Sequence, residues 1–288
     1  MTTIGAVFPP SFPPERLRSV VQAADAAGLD ELWLWEDCFR EGGMSSAAAA
    51  LAWTERVRIG VGVFPVPLRN VALAAMEIAT LHRMFPGRPI VGVGHGVQSW
   101  MAQVGARVES PMTLMREYTA ALRALLAGEN LTVDGRYVHL DSVALDWPPP
   151  GPVAVHAAAT GPRTLRLAGE IADGTILTGG SPTDAIRRAV ALAAEGRAQS
   201  SRPDSHLITV YLPVATGPDG AERLRADAEY YGEDEIFGVA GDAAAVAEVV
   251  KEVAAAGADA VVLQPMRDEP DPEAFVRFAA TEVRPLID

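Results

Sequence analysis

The sequence predicts a single α/β domain, a (β/α)8 barrel over residues 1–288, and three observations predict it. The length of 288 residues suits one such barrel, a fold of roughly 250 residues before insertions. Short apolar runs alternate with longer segments of helical period along the whole chain, the pattern of parallel strands joined by crossover helices. Hydrophobic residues make up 49% of the chain, enough for a large core, yet no run reaches the ~18 continuous apolar residues of a membrane span. The alternation by itself also fits a doubly wound open sheet.

Ile4 to Phe8 reads as the first strand. A Pro-rich loop, Pro9 to Pro14, leads to a helix with apolar positions at Leu17, Val20, Val21 and Ala24, which Gly28 ends. Glu31 to Trp35 is the second strand, and Met44 to Thr54 is an alanine-rich helix. Val57 to Val63 is a third strand with glycines inside it, followed by a helix from Val71 to Phe85 that Pro86-Gly87 closes. Pro89 to Val93 is the fourth strand, after which helical signal runs to Ala127 with a break at Ser110-Pro111. Residues 128–150 depart from the alternation: Leu131 to Leu140, centred on Asp134-Gly135, reads as a β-hairpin insertion after the fourth βα unit. Pro148-Pro149-Pro150 then acts as a stiff connector. Strand Val153 to Ala157, helix Pro162 to Ala172, strand Gly174 to Leu177 and helix Thr183 to Glu195 resume the pattern. Strand Leu207 to Val214, a weakly patterned helical stretch to Tyr231, helix Asp242 to Ala256, strand Ala260 to Leu263 and helix Pro272 to Leu286 complete it.

Charge and cysteine content narrow the partners. A net charge of −13 argues against nucleic acid and against an anionic membrane surface, both of which are bound through basic residues. Of the 24 basic residues only Lys251 is a lysine, so any anion is met by arginine forks. The single cysteine, Cys38, excludes an internal disulfide framework and fits a reducing cytoplasm, and Met1 to Pro10 shows no basic leader region. Cys38 itself reads as a small buried hydrophobe, and His156 as a hydrogen-bonded core histidine.

A barrel of this kind carries its site at the C-terminal ends of the strands. Those positions hold glycine, small residues and aromatics, with Glu36-Asp37-Cys38 after the second strand and Gly94-His95-Gly96 after the fourth. The five histidines form no His-x-His or His-x-x-x-His pair, so no metal site is expected. No G-x-S-x-G elbow occurs either. Glycine-rich backbone suits a flat cofactor whose own ring carries the reaction, although a plain strand-to-helix turn explains the Arg88 to Gly105 stretch (RPIVGVGHGVQSWMAQVG) equally well. Trp33 and Trp35 alternate along a strand, point the same way and are expected to pack.

Leu51 to Leu81 (LAWTERVRIGVGVFPVPLRNVALAAMEIATL), Val91 to Gly105 and Thr160 to Leu177 (TGPRTLRLAGEIADGTIL) together resemble the bacterial luciferase-like superfamily of flavin- and deazaflavin-dependent oxidoreductases. Asp30 to Asp37 and Gly257 to Leu263 fit the same order, so the resemblance covers nearly the whole chain. It implies hydride transfer between reduced coenzyme F420, or FMN, and a small organic substrate. The alternatives it leaves open are a two-component monooxygenase supplied with reduced FMN by a separate flavin reductase, and a non-catalytic cofactor-binding relative. It also implies a homodimer. A non-prolyl cis peptide is implied at Gly62-Val63, where Gly62, Val63 and Phe64 would cushion the ring, the alternative being that Gly60 and Gly62 serve wall packing. Gly94, His95 and Gly96 match the cofactor-contacting loop, and Ala158, Ala159, Thr160 and Gly161 with Arg163 match the loop that holds the cofactor tail. Arg69 and Arg166 are further candidates for its phosphate. Relatives end strand two in an Asp-His pair, whereas Glu36 and Asp37 stand at the matching residues here. Glu36 is therefore the expected proton carrier, with His95 as the second candidate, the alternative being that Glu36 and Asp37 only hydrogen-bond backbone in the loop.

Overall fold

Eight parallel strands close on themselves in the computed structural model, which describes residues 2–200, 205–232 and 236–287. In chain order the strands are β1 (Thr3–Phe8), β2 (Glu31–Leu34), β3 (Arg58–Pro65), β4 (Pro89–Gly94), β5 (Leu131–Asp134), β6 (His139–Val143), β7 (Val155–Ala158), β8 (Gly174–Leu177), β9 (Leu207–Ala215), β10 (Val239–Ala240) and β11 (Ala260–Pro265). The barrel runs β1-β2-β3-β4-β7-β8-β9-β11 and returns to β1. The β8–β9 and β11–β1 pairings complete the ring, which excludes the open doubly wound sheet. β5 and β6 form the antiparallel hairpin of the 128–150 insertion, outside the barrel.

The helices are α1 (Leu17–Ala27), α2 (Gly43–Ala52), α3 (Val71–Met84), α4 (Gln98–Gln103), α5 (Pro111–Leu126), α6 (Pro162–Ile171), α7 (Thr183–Arg197), α8 (Gly220–Tyr231), α9 (Ala243–Ala255) and α10 (Pro272–Phe278). Local chemistry sets several of their ends. Asn70, Ser110, Asp242 and Asp271 each accept a backbone N–H in the first turn of the helix that follows, and Gly28 closes α1 in the left-handed conformation. The single helix expected over Pro272 to Leu286 instead loses its regular turn after Phe278, passing into a wider π turn at Ala279–Val283 and a 3-10 turn at Arg284–Leu286. Pro285 explains the change, because it offers no N–H to the preceding turn. The two-residue β10, paired with Val214 and Ala215, is too short to leave a period in the sequence.

Packing inside the barrel rests on one large-against-small arrangement. Trp33, Tyr211, Val7, Ile90, Ile176 and Val262 fill the interior, with the Trp33 and Tyr211 rings edge to face at 5.9 Å. Gly60 is the register partner of Trp33, and a Cβ placed there would stand 2.5 Å from the indole. A Cβ on Gly62 would stand 2.1 Å from the Tyr211 hydroxyl. Below Trp33 the buried Glu31 accepts from the indole N–H and from Arg58, each at 2.8 Å. On the outside α6 and α7 approach until backbone meets backbone: a Cβ on Gly169 would lie 1.9 Å from the Ala193 carbonyl oxygen, and one on Gly196 1.8 Å from that of Arg166. His156 is buried as expected, but its Nδ1 finds no hydrogen-bond partner among the described residues.

Candidate active site

The alternation of β2 carries past the strand end and sorts its residues between two environments. Trp33 belongs to the interior, Trp35 stacks on Tyr211 at 5.9 Å with 16° between the planes, and Asp37 lies close enough to act electrostatically on Tyr211. Burial pushes the Asp37 carboxyl above the usual carboxylate range, against the pull of Arg40. Glu36 has the opposite parity. It accepts from the Arg69 guanidinium and, at 2.7 Å, from the Gly43 amide at the start of α2. Arg69 also bonds Glu77 at 3.2 Å and lies 5.2 Å over the Phe64 ring, so Glu36 is held in the helix layer. Cys38 is half-buried instead of fully buried, because the chain has left the sheet by that point.

On β3 the pairing with β4 slips between Val61 and Phe64, and the Gly62-Val63 peptide is cis, where the resemblance places it. A second cis peptide joins Cys38 and Phe39. The extra residue re-aims the strand: Gly62 and then Val63 both face the interior, and Phe64 turns outward into the helix-side core. Gly94 on β4 lies against Val63, where a Cβ would stand 2.6 Å from a Val63 methyl. Glycine at 60, 62 and 94 is thus demanded by Trp33, Tyr211 and Val63.

Beyond β4, Gly96 has φ 67° and packs over Pro65 and Met101, while the Gln98 side chain donates to the carbonyls of His95 and Gly96 at 3.2 and 3.3 Å. The His95 imidazole is pushed below its ordinary value by burial, with a hydrogen bond to the Pro111 backbone opposing. Its Nδ1 has no partner among the described residues. At the end of β7, Ala158 is half-buried toward the interior, Ala159 donates to the Ile176 carbonyl at 3.2 Å, and Thr160 is exposed. Gly161 caps α6 with no side chain across its N–H groups, and Arg163 is exposed in the first turn. Arg166 is turned away to Glu195 at 2.7 Å.

These residues meet at the strand-end mouth of the barrel. Val63, Gly94 and Ala158 give β3, β4 and β7 little side-chain bulk there, while half-buried Trp35 stacks over the fully buried Tyr211 and Gln264 is buried at the end of β11. Such an opening fits a flat ring laid on the small-residue side, and the uncapped N–H groups of α6 beside Arg163 fit an anionic tail. Among the described residues no cluster of three His, Cys, Asp or Glu side chains is placed to hold a metal ion. Sequence reasoning did not assign Asp37, Trp35, Tyr211 or Gln264. The available signal was parity, since residues 33, 35 and 37 share one face of the strand.

Residues 2–270 match the family model described as luciferase-like monooxygenase. A 5,10-methylenetetrahydromethanopterin reductase of Methanolobus tindarius is 30% identical over 225 residues, 78% of this chain and 68% of that protein. An F420-dependent glucose-6-phosphate dehydrogenase of Beutenbergia cavernae is 34% identical over 232 residues, 75% of this chain and 68% of that protein. The solved structure of an F420-dependent secondary alcohol dehydrogenase in complex with an F420-acetone adduct has the same fold, with a TM-score of 0.89 and 20% identity over 100% of this chain and 99% of the other. By the match of the family model over nearly its whole length, the chain belongs to the luciferase-like monooxygenase family.

Proposed function

We propose that this protein is an oxidoreductase that binds coenzyme F420 at the strand ends and moves a hydride between it and a small organic substrate. The observation that carries the reading is the strand-end mouth, small on β3, β4 and β7 and aromatic at Trp35 on the opposite side, backed by the buried Tyr211. The F420-dependent relative at 34% identity supports the choice of cofactor. In this reading the ring would lie along Gly62, Val63, the backbone of Phe64, Gly94, His95 and Gly96, the Phe64 side chain being packed outward in the helix-side core. Ala158 to Gly161, Arg163 and the α6 N–H groups take the tail phosphate. The bound deazaflavin supplies hydride chemistry.

The chain's own contribution is position and a proton. Asp37, whose hold on a proton is strengthened by burial, can give that proton to a substrate oxygen when protonated or take one back when ionised, and His95 stands as the second group. Glu36, bound to Arg69 and Gly43, anchors the β2 loop. Asp37 supplies the acid whose loss the non-catalytic alternative supposes. The second reading, an FMN-dependent monooxygenase served by a separate flavin reductase, is favoured by the description of the family itself. Leu73, Met76 and Met84 form an exposed apolar stripe on α3 that supports a homodimer. No helix among the described residues is long and apolar enough to cross a membrane, and the single cysteine supports a cytoplasmic setting.

The test is a fluorescence titration of the purified protein with F420 and with FMN. F420 is expected to bind more tightly. FMN binding at least about tenfold tighter would move the assignment to the flavin reading, and failure of both to bind would overturn the site.

A further inference from the structure

We propose that the mouth selects an uncharged, apolar-bodied carbonyl or hydroxyl compound, with Gln264 as its polar anchor. The inference rests on the mouth being the hydride-transfer site and adds the substrate class.

Among the described residues, most charges around the mouth are met within the chain. Asp37 and the partly buried Glu41 both lie within electrostatic reach of Arg40, which also donates to the Pro10 carbonyl at 2.6 Å. Arg267 pairs with Asp227 at 3.3 Å and lies 4.2 Å over Tyr230, and Arg223 pairs with Asp268 and Glu269 at 3.1 Å. Arg69 is taken by Glu36 and Glu77. Arg163 stands at the α6 end assigned to the cofactor tail, and Arg107 lies farther along the chain, past α4. Among the described residues, a substrate of either charge entering beside Asp37 and Gln264 would lose hydration and find the nearby charges already committed, the costly case for buried ions.

The surfaces on offer are aromatic. Half-buried Trp35 stacks over the fully buried Tyr211 and is the ring of the pair that reaches the mouth. Phe39, on the loop after β2, is 64% exposed, and Tyr231, near Asp37 and Arg40, is 48% exposed. Apolar rings left in water at a strand-end mouth favour a ligand with an apolar body. Gln264 follows the interior parity of Val262 on β11, is only 4% exposed, and its amide oxygen has no partner among the described residues. A buried amide of this kind is satisfied by one small neutral group, since it presents oxygen to a hydroxyl or, turned over, nitrogen to a carbonyl.

The experiment uses one carbon skeleton with three charges: cyclohexanol, its ring-carboxylate derivative and its ring-ammonium derivative. Binding to the free and the F420-loaded protein is read by saturation-transfer NMR. Cyclohexanol should bind at least about tenfold more tightly than either charged form. Gln264→Leu should weaken cyclohexanol binding several-fold, and Phe39→Arg, at an exposed position that does not endanger the fold, should narrow the gap to the carboxylate. A charged derivative binding as tightly as cyclohexanol, no detectable cyclohexanol binding, an unchanged gap in Phe39→Arg, or unchanged cyclohexanol binding in Gln264→Leu overturns the proposal. Failure of the cofactor titration is a separate result, and it would overturn the hydride-transfer reading beneath it.

Discussion

Glu36 and Asp37, adjacent in sequence, serve opposite sides of the barrel wall: Glu36 holds Arg69 in the helix layer, and Asp37 lies within electrostatic reach of Tyr211 in the interior. Replacing each carboxyl by its amide therefore separates chemistry from architecture. Asp37→Asn should lower turnover by on the order of 10² with cofactor affinity little changed. Glu36→Gln removes one partner of a pair that is mostly buried and should cost on the order of 3 kcal/mol in urea unfolding, with a smaller effect on turnover. The reverse result would return proton transfer to Glu36.

The packing of Gly62 under Tyr211 gives a second test. Gly62→Ala would place a methyl 2.1 Å from the hydroxyl, so stability should fall by about 1–3 kcal/mol. Tyr211→Phe removes the obstructing oxygen, and the double variant should recover part of the loss. Strictly additive losses would show that Trp33, also within 3.0 Å of that methyl, is the real obstacle.

Two histidines make folding sensitive to acid. Burial lowers both His156 and His82 from 6.5 to about 4, so at pH values between these the unfolded chain binds more protons than the folded one. Their contribution to stability is fully present above about pH 6.5 and is lost as pH falls toward 4. The urea midpoint should drop between pH 7.5 and pH 5, about the range set by these two values, and His156→Gln should flatten the slope. An unaltered slope in that variant would assign the effect to other groups.

Arg163 and Arg166 differ in commitment, and the cofactor tail should report it. Arg163→Gln should weaken F420 binding and lessen its salt dependence, because the guanidinium stands exposed beside the uncapped start of α6. Arg166→Gln breaks a surface pair with Glu195, worth at most about 1 kcal/mol, and a long bond to the Pro162 carbonyl, and should leave affinity nearly unchanged. Equal losses in the two titrations would contradict this assignment.

Most of the fold was legible because each strand is apolar, short and bounded by glycine, proline or a cap. Parity of β2 was legible too, but which parity faced inward was not. Trp33 fits the interior only because Gly60 sits opposite it across β2 and β3, and a cross-strand pairing cannot be read from one strand's sequence. The proton carrier was therefore expected at Glu36, the residue before the one that faces the interior. Gln264 escaped for another reason: a lone amide at a strand end carries no pattern, and its importance comes from the partner its oxygen lacks.

The Gly169 and Gly196 contacts bear on how the site adapts to what it binds. With backbone pressed on backbone at both places, α6 has no room to slide along α7, and the two helices behave as one rigid strut. The N–H groups at the start of α6 are then held in place, and on the proposed reading the tail of a ligand would have to come to them. On the proposed reading, accommodation of differently shaped substrates falls to the opposite rim, where the Phe39 ring is the most exposed and Tyr231 is packed edge-on against Tyr230.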